Sequence, residues 1–233
     1  MKLFKKLLSS TLHLFYPHLC AGCGNDLLDE NNLLCLTCIN DLPYTHFETW
    51  EDNPIERIFR GRISLKDASA QFYFEKGSLM QSLVHQLKYK GNRKLGYYLG
   101  ELMGRQLLDS GRFTSIDMIM PVPLYPEKER RRGYNQAAVI CEGMSSVMKI
   151  PVLNNILVRQ RSTETQTRKH RPERWQNVTG SFALREEDFC KHKSVLLVDD
   201  VITTGATLEA CAGVFNTLQD VQVSIVALAQ AAK

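Results

Sequence analysis

The sequence contains no run of about 18 consecutive apolar residues, which is the length that a helix needs to cross a bilayer. It also lacks the Gly-x4-Gly-Lys-Ser/Thr P-loop and the Gly-x-Gly-x-x-Gly fingerprint of dinucleotide-binding domains. These absences exclude a membrane-spanning helix and two common glycine-rich nucleotide sites. Any phosphate site must therefore come from another arrangement of residues.

The first 16 residues place lysines ahead of leucines and superficially resemble a secretory signal peptide. Polar residues interrupt the apolar stretch, however, and no small-x-small cleavage site follows it. We therefore expect a cytoplasmic protein whose N-terminal segment is a short amphipathic helix packed on its own protein. A role at a membrane surface is the alternative. The apolar stripe of this helix comprises Leu3, Leu7, Leu8, Leu12 and Phe15.

Positive charge is concentrated in one stretch of the chain. The formal net charge is +4, and 44% of the residues are hydrophobic, which suits one α/β core with a small appendage. Residues 128–174 hold 11 Lys/Arg against 4 Asp/Glu, a local net charge of +7. This asymmetry favours phosphate-bearing partners, although a solvated basic surface would look the same.

Four of the seven cysteines form two Cys-x-x-Cys pairs separated by eleven residues. Two such turns can supply a closed tetrahedral shell of thiolates, so we predict a structural zinc site with no catalytic role. A disulfide pair and a thioredoxin-like redox motif are the alternatives. Cys141, Cys190 and Cys211 have no partner at the spacing of metal ligands and are interpreted as core thiols. The predicted zinc ligands are Cys20, Cys23, Cys35 and Cys38.

The hydrophobic pattern after the cysteines alternates between strands and helices. This order predicts an α/β fold in which helices flank a parallel sheet. We expect two parts, with the amphipathic helix and zinc module in residues 1–50 and the sheet domain in residues 51–233. Strands are predicted within 62–75 and at 116–122, 152–158, 194–198 and 221–229, and helices at 78–90, 92–108, 134–149 and 207–218.

The most informative segment ends a predicted strand with two adjacent carboxylates, Asp199 and Asp200. A turn of small and hydroxylated residues follows and leads directly into a helix. Ligands of open α/β sheets bind at the carboxyl ends of strands, and the amides of such a turn can surround a phosphate. The pattern therefore predicts a site for a phosphorylated, polyhydroxylated ligand. The turn, called the threonine turn below, consists of Thr203, Thr204, Gly205, Ala206 and Thr207.

This segment resembles the diphosphate-sugar loop of the type I phosphoribosyltransferases. The chain from Cys20 onward is similar to the ComF family of competence proteins, which implies a type I phosphoribosyltransferase-like domain in residues 51–233. The motifs that carry the family resemblance are the paired cysteines ending in Leu42-Pro43, Leu87-Lys88-Tyr89-Lys90-Gly91, Pro121-Val122-Pro123-Leu124, Arg132-Gly133-Tyr134-Asn135-Gln136, Arg161 to Gln166 and Arg174 to Phe182.

The resemblance implies a site for 5-phosphoribosyl 1-diphosphate. Asp199 and Asp200 would be the catalytic pair that holds the ribose hydroxyls, and the threonine turn would wrap the 5-phosphate. The diphosphate would face the loop after residue 123, magnesium would neutralise it, and residues 159–180 would form a lid. A solvated surface or a helix cap is the alternative role for the remaining substrate-binding candidates. These candidates are Lys88 and, for contact with the diphosphate, Arg130, Arg131 and Arg132.

Two functions remain open at this point. One is a phosphoribosyltransferase, with turnover that is intact, weak or lost, linked to DNA uptake and its proteins as the ComF resemblance implies. The other is a non-catalytic protein that binds single-stranded nucleic acid and uses the diphosphate-sugar site as a ligand sensor. A housekeeping scaffold protein stabilised by zinc is a third alternative. A glutaminase domain, which a self-sufficient glutamine-using enzyme would need, is not expected ahead of the zinc module.

Overall fold

The computed structural model describes residues 18–26, 32–160 and 181–231. Within these residues, four strands form a parallel sheet in the order β1-β6-β5-β2, and two short strands, β3 and β4, pair antiparallel beside it. The predicted α/β fold with a parallel sheet is therefore confirmed. The strands are β1 (Ala68–Phe74), β2 (Met118–Pro121), β3 (Leu157–Arg159), β4 (Phe182–Leu184), β5 (Ser194–Ile202) and β6 (Gln222–Ala231).

Helices cover both faces of the sheet. A separate apolar cluster fills each face, and β5 contributes buried side chains to both clusters, as expected for a strand inside a parallel sheet. The helices are α1 (Leu36–Asn40), α2 (Pro54–Phe59), α3 (Leu79–Tyr89), α4 (Arg93–Asp109), α5 (Pro126–Arg132), α6 (Gln136–Met148), α7 (Glu187–Cys190) and α8 (Ala206–Gly213), with a 3-10 turn at Phe47–Thr49.

Helices α4 and α6 pack unusually closely because glycines lie where they meet. A Cβ atom at Gly100 would collide with the carbonyl oxygen of Ile140, and one at Gly143 would collide with that of Tyr97. Polar side chains cap the start of each helix: Asn92 accepts from the backbone N–H of Leu95, and Asn135 from that of Ala137. This tight pair fixes the start of α6 at the carboxyl edge of the sheet.

Two sequence predictions differ from the structure. The strand predicted at 152–158 is broken into two pieces. Val152 forms an isolated β-bridge with Ile119 of β2, and the chain then turns away, so that β3 pairs with β4. The two adjacent asparagines at 154–155 lie in a bend between these pieces, where their side chains favour turns. The helix predicted at 207–218 ends at Gly213, because glycine and the following short turns do not sustain a helix.

The cysteine-containing segment packs directly on the sheet domain. The Gln86 side chain on α3 donates a hydrogen bond to the carbonyl of Ala21 at 2.6 Å, and Leu34 shares the apolar cluster of α3 and α4. Backbone bonds from Thr45 to Gln71 and from Tyr73 to Pro43 cover the free edge of β1. The division near residue 50 remains a prediction, and the amphipathic helix lies outside the described residues. In the described part, no helix is long and apolar enough to span a membrane.

Candidate functional site

The acidic pair lies at the carboxyl edge of the sheet. Buried residues 195–198 hold β5 in the middle of the sheet between β6 and β2, and Asp199 and Asp200 follow directly. Strand register places Val198 opposite Pro121, the last residue of β2. The two carboxylates therefore lie where ligands of open α/β sheets bind.

Lys88 joins this pair from the last turn of α3. Its Nζ lies 2.8 Å from Oδ1 of Asp200, and the two side chains are only 20% and 13% exposed. The sequence predicted Lys88 as a substrate contact, and the structure places it against a carboxylate of the proposed site. The ion pair gives Asp200 a cationic partner at hydrogen-bond distance.

Asp199 has an unusual proton affinity. Burial, and then the negative charge of Asp200, raise the pKa of Asp199 to about 7. A hydrogen bond from the backbone N–H of Asp200 and the positive charges of Lys88 and Arg159 oppose this rise. The opposing N–H bond joins Asp200 N to Asp199 Oδ1 at 2.8 Å. Near neutral pH, the protonated and the ionised forms of Asp199 are therefore both populated. Carboxyl groups with a pKa shifted in this way are typical of functional sites.

The threonine turn adjoins Asp199. A concavity of about 40 Å³ is lined by Asp199 and residues 201–208. Gly205 caps the start of α8 with a φ of +77°, a conformation that residues with a side chain rarely adopt. The N-terminus of α8 therefore lies at the rim of this concavity, where an anion would be stabilised, and its first amide, that of Ala206, donates a 3.5 Å hydrogen bond to Thr204 Oγ1.

Helix α2 packs against the threonine turn. A Cβ atom at Gly205 would lie 2.7 Å from Ile58 Cγ2 and 2.9 Å from Phe59 Cε1. Arg62, just after α2, donates from Nη1 to the carbonyl oxygens of Ile58 (3.0 Å) and Thr204 (3.4 Å), and it forms an ion pair with Glu209 on α8. The turn is thus clamped between α2 and α8, an arrangement that the sequence did not indicate.

The three arginines of α5 differ in their surroundings. Arg130 and Arg131 are exposed, as is most of α5. Arg132 is partly buried: it donates to Gln136 Oε1, and its guanidinium lies 5.6 Å from the centroid of the Tyr89 ring, next to Lys88 in the chain. The structure therefore packs Arg132 against the end of α3 and leaves the other two arginines exposed to solvent.

Sequence reasoning missed a larger cavity at the end of β2. It has a volume of about 450 Å³ and lies between the end of β2, the start of α6 and β3, and its lining includes Pro121, Arg93, Arg159 and Arg185. Arg159 was assigned only to a general lid segment, because no pattern in the sequence shows which basic residue faces a cavity. The rest of that segment, residues 161–180, lies outside the described residues.

A second site lies in the N-terminal module. The sulfur atoms of the four predicted ligands lie within 4.8 Å of one another, and all seven cysteines are free thiols. Gly22 is required at the first turn, because a Cβ atom there would lie 2.6 Å from Cys38 Sγ. Backbone N–H groups of Gly22 and Cys35 donate to Cys20 Sγ at 3.4 and 3.2 Å. This cluster can hold a metal ion.

The proton affinities of these thiols fit a cation site. Burial opposes ionisation of Cys20, but backbone N–H donors outweigh it and lower the thiol pKa to about 6. For Cys38, burial and the neighbouring cysteine sulfurs raise the pKa. A second thiolate beside the first is unfavourable unless a cation compensates the charge, and four sulfur donors suit zinc chemistry.

The parallel sheet flanked by helices, with an acidic pair at its carboxyl edge and a four-cysteine cluster ahead of it, defines an α/β protein with an N-terminal cysteine module. No protein-family model matches the chain. The chain is similar to a protein named Competence protein F from Haemophilus influenzae, at 33% identity over 153 residues, which cover 64% of this chain and 67% of that protein. On this similarity, the chain belongs to the ComF family.

Two other relatives extend this comparison. The chain is 30% identical over 132 residues to the DNA utilization protein YhgH of Escherichia coli, covering 55% of this chain and 57% of that protein. It is 28% identical over 203 residues to Competence protein ComFC of Bacillus subtilis, covering 84% and 70%. The match to the Escherichia coli protein therefore spans little more than half of that relative.

Proposed function

We propose that the protein binds 5-phosphoribosyl 1-diphosphate with magnesium at the carboxyl edge of its sheet. The observation that carries this proposal is that Asp199 and the threonine turn line one concavity, with α8 beginning at its rim. Carboxylates accept hydrogen bonds from sugar hydroxyls, and a helix N-terminus with small hydroxylated residues suits a phosphate. A ribose that carries a 5-phosphate presents both groups at adjacent positions.

Each residue then has a separate task. Asp200, fixed by Lys88, accepts from one ribose hydroxyl, and Asp199 accepts from the other in its ionised form. The threonine turn holds the 5-phosphate through its amides and hydroxyls. Magnesium bound with the ligand would neutralise the charge of the diphosphate.

For the N-terminal module we propose zinc as the resident metal. Four thiolates from the protein close the shell, so the ion would stabilise the fold without an open position for a substrate. For the biological role we propose a cytoplasmic protein that acts in DNA uptake, since two relatives are named competence proteins and another a DNA utilization protein. DNA-uptake proteins would be its partners.

Exposed aromatic rings favour a second candidate function, the binding of single-stranded nucleic acid. Tyr89 is 62% exposed and its ring centroid lies 5.6 Å from Arg132 Cζ, and Tyr125 is 41% exposed with Lys128 Nζ 5.7 Å from its ring centroid. Rings of this kind beside basic side chains can stack bases while the cations contact the backbone. In this reading the diphosphate-sugar site would serve as a ligand sensor.

Calorimetric titration of the full chain with the diphosphate sugar and magnesium tests the first function. Binding should be lost in the double variant Asp199→Asn/Asp200→Asn and retained in Asp188→Asn, an exposed carboxylate paired with Lys191. Absence of binding by the unmodified protein would refute the proposal. Salt-sensitive binding of oligothymidylate, weakened when the three arginines of α5 are neutralised, would support the second function instead.

A further inference from the structure

Arg159, the last residue of β3, has its guanidinium between two aromatic rings. Its Cζ lies 3.5 Å from the centroid of Tyr125 and 4.8 Å from that of Phe182. Tyr125 precedes α5, whereas Phe182 begins β4, so the two rings come from separate parts of the chain. Stacking of this kind occupies the faces of the planar guanidinium and leaves its N–H edge to bind acceptors that lie in the same plane.

At least one hydrogen-bond donor on that edge has no acceptor among the described residues. Arg159 Nε is buried and has no hydrogen-bond partner within residues 18–26, 32–160 and 181–231. A buried charged donor without an acceptor is costly, and such groups in native structures usually await a ligand or water. The aromatic rings hold the fork in place, so its orientation does not depend on an acceptor from the protein.

The position of Arg159 identifies the chemistry of that ligand. The residue lines the cavity of about 450 Å³ together with Arg93 and Arg185, and these three arginines outnumber the two carboxylates of the lining, Glu129 and Glu142. The cavity also includes Pro121, which pairs with the residue that precedes Asp199. The positive charge of Arg159 reaches Asp199, where it lowers the carboxyl pKa. A ligand anchored at the acidic pair therefore extends one end into this cavity, while the threonine turn takes the other end.

We propose that Arg159 binds the diphosphate of the sugar ligand, through the free edge of its stacked guanidinium. The inference rests on the proposed function and names a residue for a task that the sequence assigned to the arginines of α5. Two of those arginines are exposed, whereas Arg159 is partly buried and stacked on Tyr125. A guanidinium fork matches two phosphate oxygens at once, which a lysine cannot do.

Separate titrations with the two halves of the ligand test this assignment. Pyrophosphate with magnesium and ribose 5-phosphate are titrated by calorimetry into the full chain and into three variants, Arg159→Gln, Arg159→Lys and the control Arg105→Gln, an exposed arginine on α4. We expect Arg159→Gln to weaken pyrophosphate binding at least about tenfold, because a charged hydrogen-bond donor is lost, and to leave ribose 5-phosphate binding within about twofold. Arg159→Lys should be intermediate, and Arg105→Gln should match the unmodified protein.

Other outcomes separate this inference from the proposed function. Unchanged pyrophosphate affinity in Arg159→Gln would overturn the inference even if the diphosphate sugar binds. Equal weakening of both half-ligands would also overturn it, because that result indicates general damage to the site. Arg159-dependent pyrophosphate binding without binding of the whole sugar would support the assignment of Arg159 and refute the proposed function. Loss of oligothymidylate binding with pyrophosphate binding intact would identify a nucleic-acid strand as the occupant and refute the inference.

Discussion

The four-cysteine module and the carboxyl edge of the sheet are both ligand-binding arrangements, but different forces hold them. In the module, four sulfur atoms converge within 4.8 Å, and apolar side chains such as Leu34 and Leu42 attach the segment to the sheet domain. At the carboxyl edge, buried strands and the register of the sheet position Asp199 and Asp200. If the module binds zinc as proposed, the comparison teaches that the first arrangement gains stability from its ligand, whereas sheet packing alone positions the second.

The largest expected effect follows from removing metal ligands. The double variant Cys20→Ser/Cys23→Ser should lose one bound zinc and several kcal/mol of stability, since zinc supplies about 10 kcal/mol or more to small metal-dependent modules. Thermal unfolding should shift down by at least about 10 °C, with metal content measured by atomic emission. Cys190→Ala, a buried thiol outside the module, is the control and should keep the metal. An unchanged metal content in the double variant would contradict the prediction.

A smaller loss is expected at the threonine turn. Gly205→Ala introduces a side chain at a φ of +77° and against Ile58 and Phe59, so we expect a loss of about 2–3 kcal/mol and weaker binding of ribose 5-phosphate. Urea unfolding and calorimetry measure the two effects. Gly213→Ala, at the other end of α8, meets open space and should be neutral or slightly stabilising. Equal effects of the two substitutions would show that the clamp by α2 is unimportant.

The acidic pair should limit stability at high pH. The pKa of Asp199 is about 7 in the folded chain, above the roughly 3.9 of an unfolded aspartate, so the stability it contributes is complete below pH 4 and is lost as pH rises to 7. Asp199→Asn should flatten this decline and be more stable than the unmodified protein at pH 8 by about 2 kcal/mol. Urea unfolding at pH 4, 6 and 8 tests it. A variant that is less stable at pH 8 would refute the assigned pKa shift.

The smallest effect concerns the lysine partner of the pair. Lys88→Met leaves Asp200 without its cation in a mostly buried position, so stability at pH 7 should fall by about 1 kcal/mol and recover as the carboxylates are protonated. Lys90→Met, an exposed lysine at the end of the same helix, should have no such pH-dependent effect. Urea unfolding at pH 4 and pH 7 measures the difference between the two variants.

Much of the scaffold could be predicted from the sequence because local patterns carry it. Helices α3, α4 and α6 begin at capping residues that precede apolar stripes, and β5 is a continuous apolar run. Helix α5 was missed because it is charged throughout and has no apolar stripe. The strand predicted at 152–158 was wrong because a bend at adjacent asparagines divides an otherwise apolar segment.

The sequence by itself determined the sulfur ligands, the acidic pair and the threonine turn, because each lies within a short segment whose spacing sets its local geometry. Only the tertiary structure decided that Lys88 pairs with Asp200, that Arg62 clamps the turn and that Arg159 lies between two rings beside a cavity. These contacts join residues that are distant in sequence. They arise from sheet register and helix packing, which no local pattern of residues specifies.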